Sequence, residues 1–376
     1  MAQRVYFDNG PEGVGLSFDN ALRVIRADTP EEVMPALDAM EQARAEGHWL
    51  AGAASYELGY MFSQKLSDLM PATRDTPLLQ FGVFDAPASG RQLTATDTAT
   101  LTAPEPAWSL AQYTAAFDAV KDYIGAGDIY QANLTFALHC ERTGSLDALY
   151  AALLAKQSVP YGALVDLGGP ALLSRSPELF FSIDAERNIT ARPMKGTAPR
   201  GDTPEEDATL IKWLHRSEKN RAENLMIVDL LRNDMSRISE IGSVKVPALF
   251  AVETYATLHQ MTSSITAKLV EGTSLTGIFR ALFPCGSITG APKIRAMQII
   301  HELEAGPRGA YCGTIGWIAP NGAMTFNVAI RTLTCFDDNA VRLNVGSGVV
   351  YDSDAAGEYE EALLKARYAV VIFNNT

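Results

Sequence analysis

Apolar positions in the first third of the chain come in short runs, with one helix among them. Pro30-Glu31-Glu32 opens that helix behind Thr29 as N-cap, and its apolar stripe runs through Ala36, Leu37, Met40 and Ala43. Two strand-like runs follow, His48–Tyr56 and Leu79–Phe84. Residues 86–107 hold Ala, Thr and Pro with few large apolar groups, which fits a linker or exposed edge strands. From 108 onward helix and strand patterns alternate. Tyr113 to Ala126 reads as a helix ending at Gly127, Ile129 to His139 as a strand, and Ser145 to Gln157 as a helix capped by Ser145 and Asp147. Short strands are predicted at Leu164–Leu167, Leu172–Ser174 and Leu179–Ile183. Glu205 to Ile238 is the longest helical stretch, and a Gly-rich strand end at Val349 precedes a C-terminal helix from Ala355. Strands come in runs between helices, not in strict βαβ order, so the pattern predicts an α+β layered sandwich and not a doubly wound sheet.

Composition narrows the setting. The chain has 376 residues, 31 Lys+Arg against 44 Asp+Glu, and a formal net charge of −13. Its 47% hydrophobic and 20% charged residues are those of an ordinary folded protein, large enough for two domains or one large one. The acidic balance argues against nucleic acid and against an anionic membrane surface. It also sets a puzzle: an anionic substrate would need local cations or a metal. No run approaches a membrane span; the longest late one is Ala369–Phe373. The N-terminus lacks a secretory h-region and the four cysteines make no CxxC pair, so a reducing, cytoplasmic setting is expected. The N-x-T triplets at Asn133, Asn188 and Asn374 are then read as chance.

Several residues could carry chemistry. Glu223 stands at the entrance of an apolar helix, and Glu358 and Glu361 share a helix face behind the flexible Gly346–Ser353 loop. Carboxylates from two helices facing such a loop suit Mg²⁺, although solvated helix-end acids look the same in sequence. Lys195, in Arg192-Pro-Met-Lys-Gly-Thr-Ala-Pro-Arg200, is either part of a basic loop or an amine of lowered basicity able to act as nucleophile or base. Phe283 to Lys293 resembles an anion-cradling loop before a helix, without the GK[ST] of a P-loop. His259 could be an acid/base group or a structural donor. Gly125-Ala-Gly127 is no dinucleotide fingerprint, and no GxSxG elbow or His/Cys metal spacing is present.

Taken together and in order, Gly127–Asn133, Ser176–Glu178, Pro193–Thr197, Ala222–Asp229, Gly286–Lys293, Phe326–Thr332 and Gly346–Gly348 with Glu358–Glu361 resemble the chorismate-utilising enzymes over about residues 108–376. The resemblance implies an α/β/β/α sandwich of antiparallel sheets with outer helices, as in the anthranilate synthase component I-like family. It also implies a chorismate-binding catalytic domain at 108–376, with 1–107 as an N-terminal region packing onto the main sandwich. It implies Mg²⁺ on Glu223 and Glu361, with Glu358 holding metal-bound water, and Glu178 as the acid that assists loss of the C4 hydroxyl. Arg331 and Tyr311 would clamp the enolpyruvyl carboxylate, and Gly196, Thr197, Gly346 and Gly348 would give backbone contacts. His259 matches a histidine near the ring, and Lys293 a lysine near the metal and carboxylate region.

Two positions discriminate within the family. Gln131 stands where the isochorismate and salicylate synthases have a water-activating lysine, which resembles the ammonia-using members. Lys195 stands where anthranilate synthases usually have alanine, which resembles the aminodeoxychorismate synthases of 4-aminobenzoate and folate biosynthesis. In that chemistry the lysine adds covalently and ammonia then displaces it. Cys140 beside His139 lacks a Gly-x-Cys-x-Gly elbow, so the resemblance implies ammonia from solution or from a separate glutaminase subunit. The alternatives are an anthranilate synthase component I and a non-catalytic chorismate-binding relative. Departures are Met194 for the usual isoleucine, Asn220 where many members have an acid, and a partial match at Lys156–Tyr161 to the segment beside the tryptophan pocket of relatives.

Overall fold

The computed structural model describes residues 3–372 except 91, 92, 94, 96, 256 and 257, with side chains described as far as Ala369. Phe373 at the end of the late apolar run and the Asn374 triplet lie outside the described residues. The described residues form two large antiparallel sheets, one of 11 strands and one of 10. The first is built around the long Gln131–Thr143 and Ala340–Val349 pair, in register from Ala340 opposite Glu141 to Val349 opposite Ala132. The second is built around Leu258–Lys268, which pairs with Asn188–Arg192, Met194–Pro199 and Lys245–Thr254.

Three apolar layers explain the stacking. One lies between the sheets, where Val5, Phe7 and Phe18 of the first meet Ala51, Ala53, Phe84 and Trp317 of the second. The Phe18 and Phe84 rings are 5.1 Å apart across that gap. Outside the second sheet, Pro30–Ala45, Glu218–Ser236 and Leu275–Leu282 bury Leu37, Ile227 and Phe279. Outside the first, Leu110–Gly125, Leu146–Lys156 and Ala355–Leu364 bury Tyr113, Leu149 and Tyr359. Each such side chain contributes about 1.5–3 kcal/mol of burial. In Trp49–Ala54, Leu50 and Ala54 face the helices while Ala51 and Ala53 face the other sheet. Both faces are dry, so that strand reads as a continuous apolar run.

Residues before 107 add strands to both sheets. Arg4–Phe7 extends the first beside Tyr161–Asp166, and Trp49–Ala54 extends the second beside Thr314–Ile318. The 86–107 segment contributes the two-residue edge strands Ala88–Ser89, Thr100–Leu101 and Glu105–Pro106. The expected helical stretch from Glu205 to Ile238 consists of two helices, Pro204–Arg216 and Glu218–Ser236. Ser217 leaves helical geometry, and its hydroxyl accepts from the Asn220 N–H at 3.4 Å, starting the second helix afresh. Among the described residues, no helix is long and apolar enough to cross a membrane.

Candidate active site

Lys195, Gln131 and Gly348 meet where the two sheets come together at one end. A methyl group at Gly348 would stand 3.1 Å from Gln131 Nε2 and 3.5 Å from Lys195 Nζ. Gln131 begins the strand antiparallel to Ala340–Val349, whose end carries Gly348, which fixes that side of the site. On the other side, the Met194–Pro199 strand slips register between Met194 and Thr197, and Gly196 takes a φ of 86°. This bulge re-aims Lys195, and the backbone there passes so close to Asn220 that a Cβ at Gly196 would meet its side chain at 2.9 Å. Gln260 Nε2 donates to the Gly196 carbonyl at 2.7 Å, and the Thr197 hydroxyl donates to Gln260 Oε1 at 3.1 Å. Gln131 Nε2 is buried without an acceptor among the described residues, a donor left for a ligand oxygen.

The charges here perturb one another. Lys195 lies deep among protein atoms yet keeps part of its surface exposed. Burial and then nearby Lys365 lower its basicity, against the pull of Glu223, Glu178 and Glu361. Glu178, 5% exposed, is pushed up to about 7 by burial, with the Ser287 hydrogen bond, Lys195 and Arg331 opposing. The Ser287 hydroxyl donates to Glu178 Oε1 at 2.8 Å. Burial lowers Arg331, which lies within electrostatic reach of Tyr368 and Glu178 and pairs with no carboxylate among the described residues. Tyr311 is buried, and its phenol is held far above its ordinary range.

Glu223 lies within electrostatic reach of Glu358 and Glu361 on the other helix. Glu223 is raised by burial and, beyond the attraction of Lys195 and Lys219, by repulsion from Glu358 and Glu361. Burial raises Glu361 too, but Lys365, Lys195 and Lys219 outweigh it and the net shift is downward. Lys365 Nζ lies 2.8 Å from Glu361 Oε1 and donates to the Gly346 carbonyl at 2.9 Å. Ser353 donates to Glu358 Oε1 at 2.6 Å. Among the described residues, no three His, Cys, Asp or Glu side chains converge into a metal cage. The donor set still fits Mg²⁺, which takes one or two carboxylates and completes its shell with water and ligand oxygens. Mutually repelling carboxylates are what such an ion relieves.

Two expected site residues stand apart. His259 is fully buried, with Nδ1 3.0 Å from the Thr254 hydroxyl and Nε2 2.9 Å from Asp207 Oδ1. Asp207, first through Arg200 and then the Gly201 N–H, is held far below the carboxylate range. Lys293 donates to Asp234 Oδ2 at 2.6 Å and to the Leu282 carbonyl at 2.9 Å. Asp234 is eleven residues along the helix from Glu223, a rise of about 16 Å. The Phe283–Lys293 segment does not present its glycines to the Lys195 site. Gly290 and Ala291 pair with Ala132 and Gln131, and the loop's contribution is Ser287. Ser287 and Lys365 are the site residues the sequence reading missed. Ser287 lay inside a motif already singled out, and Lys365 is four residues past Glu361, the spacing of a helical ion pair. All four cysteines are buried and free, and burial raises every thiol, Cys140 to about 11.

The chain has relatives among known proteins. Residues 3–370 match the model of a family described as chorismate binding enzyme. A Streptomyces griseus protein named aminodeoxychorismate synthase is 42% identical over 325 residues, 81% of this chain and 45% of the relative. Aminodeoxychorismate synthase component 1 of Escherichia coli is 44% identical over 254 residues, 68% of this chain and 56% of the relative. The chain thus spans about half the length of these relatives. Anthranilate synthase component I of Streptococcus pneumoniae superposes with a TM-score of 0.78 at 26% identity, over 97% of this chain and 89% of that one. The layered antiparallel α+β sandwich is therefore the fold of this group.

Proposed function

The chain belongs to the family of chorismate binding enzymes, and on that premise we propose that it aminates chorismate at C4, in the manner of an aminodeoxychorismate synthase component I. The observation that carries this reading is the Lys195 amine, lowered by burial and Lys365, within electrostatic reach of Glu178 and set with the Gln131 amide against Gly348. A neutral amine is a nucleophile, and Glu178, at about 7, keeps a proton to give at neutral pH. Lys195 Nζ forms a bond to ring C2, the two ring double bonds shift, and the C4–O bond breaks as Glu178 protonates the departing hydroxyl, releasing water. Ammonia then bonds to C4, the double bonds shift back and the C2–N bond to Lys195 breaks. The product is 4-amino-4-deoxychorismate with its pyruvyl group retained.

Arg331 and Tyr311 hold the enolpyruvyl carboxylate in this reading, and the unpartnered Gln131 amide donates to a substrate oxygen. Backbone groups of Gly196, Thr197, Gly346 and Gly348 line the ring. Glu223 and Glu361 would hold Mg²⁺, with Glu358 on a bound water. When bound, the ion supplies positive charge to the ring carboxylate. His259 acts through Asp207 as a positioning residue of the Leu258–Lys268 strand. Ammonia comes from a separate glutaminase subunit in the cytoplasm, a partner for which the "component 1" in the Escherichia coli relative's name leaves room.

The reading is tested by incubating the chain with chorismate, Mg²⁺ and an ammonium salt and identifying products by mass and fluorescence. The expected product carries nitrogen at C4 and pyruvate intact. Direct formation of fluorescent anthranilate would refute it in favour of an anthranilate synthase. Lys195→Ala is expected to lose the C4-aminated product, and unchanged product and rate would sink the covalent step.

A further inference from the structure

A cavity of about 230 Å³ opens elsewhere, beside the Glu218–Ser236, Leu275–Leu282 and Lys293–Leu303 helices. Arg237, Arg280 and Lys293 line it together with the apolar Phe62, Phe283 and Met297. Arg237 and Arg280 are exposed and form no close ion pair among the described residues; Arg237 lies within electrostatic reach of Asp234, to which Lys293 is paired at 2.6 Å. Three cations against one carboxylate leave a local excess of positive charge on a chain of net charge −13. Unpaired guanidinium groups at a concave site suit a carboxylate, which they bind through two parallel N–H bonds. The Phe62, Phe283 and Met297 walls ask for an apolar, flat body, and the volume lies below the roughly 300 Å³ of ordinary ligand pockets, so one ring fills it.

We propose that this pocket binds a small aromatic monocarboxylate, with Arg237 and Arg280 on the carboxylate and the ring between Phe62 and Phe283. The site is connected to the Lys195 cleft at two points. Phe283 opens the segment that ends at Ser287, the hydrogen-bond donor to Glu178. Asp234, the partner of Lys293, is on the helix that carries Glu223. An occupant therefore bears on the acid and on the carboxylate helix of the cleft. The pocket's chemistry is independent of which ring carbon is aminated.

Titration calorimetry of the full chain with benzoate, alongside inorganic phosphate, tests this. Benzoate is expected to bind saturably at one site and tighter than phosphate. Arg237→Ala and Arg280→Ala, both exposed positions, should each weaken it at least tenfold with basal activity and circular dichroism unchanged, while Arg331→Leu leaves it intact. No saturable benzoate binding, binding indifferent to both arginines, phosphate bound as tightly, or loss of binding in Arg331→Leu would each overturn the proposal, the last by placing the ligand in the Lys195 cleft.

Discussion

Ser287→Ala isolates the control of the site's acid. The Ser287 hydroxyl donates to Glu178 Oε1 at 2.8 Å, and a hydrogen bond to a carboxylate is worth about 1.5–3 kcal/mol. The neutral acid keeps part of that bond, so the two protonation states differ by about 1.4 kcal/mol, or about one pKa unit. A donor favours the charged form; its removal therefore raises Glu178 from about 7 to about 8. At pH 7 the protonated fraction would rise from about one half to about nine-tenths, and the ratio of kcat at pH 8.5 to that at pH 7 would rise about fourfold over the parent. Carbon NMR of protein labelled at the glutamate carboxyl, with the signal assigned through Glu178→Gln, follows the midpoint directly. A midpoint that stays or falls would refute the assignment of Ser287 as the donor that tunes Glu178. The change is nearly isosteric, so thermal stability serves as the control for folding.

Gly348→Ala should fold, since the new methyl meets only the flexible ends of Gln131 and Lys195, yet intrude where the ring must lie. A misplacement of about 1 Å predicts roughly a hundredfold loss in kcat/KM by steady-state kinetics, with little change in melting temperature. Asp8→Ala removes the partner of the fully buried Arg175, 2.5 Å away, and leaves a charge without compensation. Urea unfolding should register about 3–5 kcal/mol. Glu178 is raised from 4.5 to about 7 on folding, so its stabilising contribution is full below pH 4.5 and is lost as pH rises through 7. Glu178→Gln should remove up to about 3 kcal/mol of that pH dependence between pH 5 and 9, measured by denaturant titration.

Local signals in this chain were legible where chemistry acts over a few residues. Thr29 and Pro30 start a helix, with Glu32 reaching back to the Thr29 N–H at 3.0 Å, and Ser145 caps Leu146–Lys156 by accepting from the Ala148 N–H at 3.1 Å. Ser217, followed three positions later by Asn220, was an equally local signal that the apolar pattern of Glu205–Ile238 masked. The Lys245–Thr254 and Leu258–Lys268 hairpin escaped because much of it is half-buried, which blurs the apolar alternation.

For the site, the sequence by itself determined the inventory: Lys195, Glu178, Gln131, Arg331 and the acids of two helices, in an order specific enough to name a family. The tertiary structure decided which of them meet. It put Ser287 on Glu178, 109 positions away in the chain, set Gln131 and Lys195 of different sheets against Gly348, and gave His259 to Asp207 and Lys293 to Asp234. The physical reason is that an ionisable group's role depends on burial and on charges within a few ångströms. Those neighbours come from strands and helices far apart in sequence, and no local pattern encodes them. The acidic balance of the chain is settled in the same way, since a net charge of −13 coexists with an Arg331 that pairs with no carboxylate among the described residues and with a cationic pocket once packing has placed each charge.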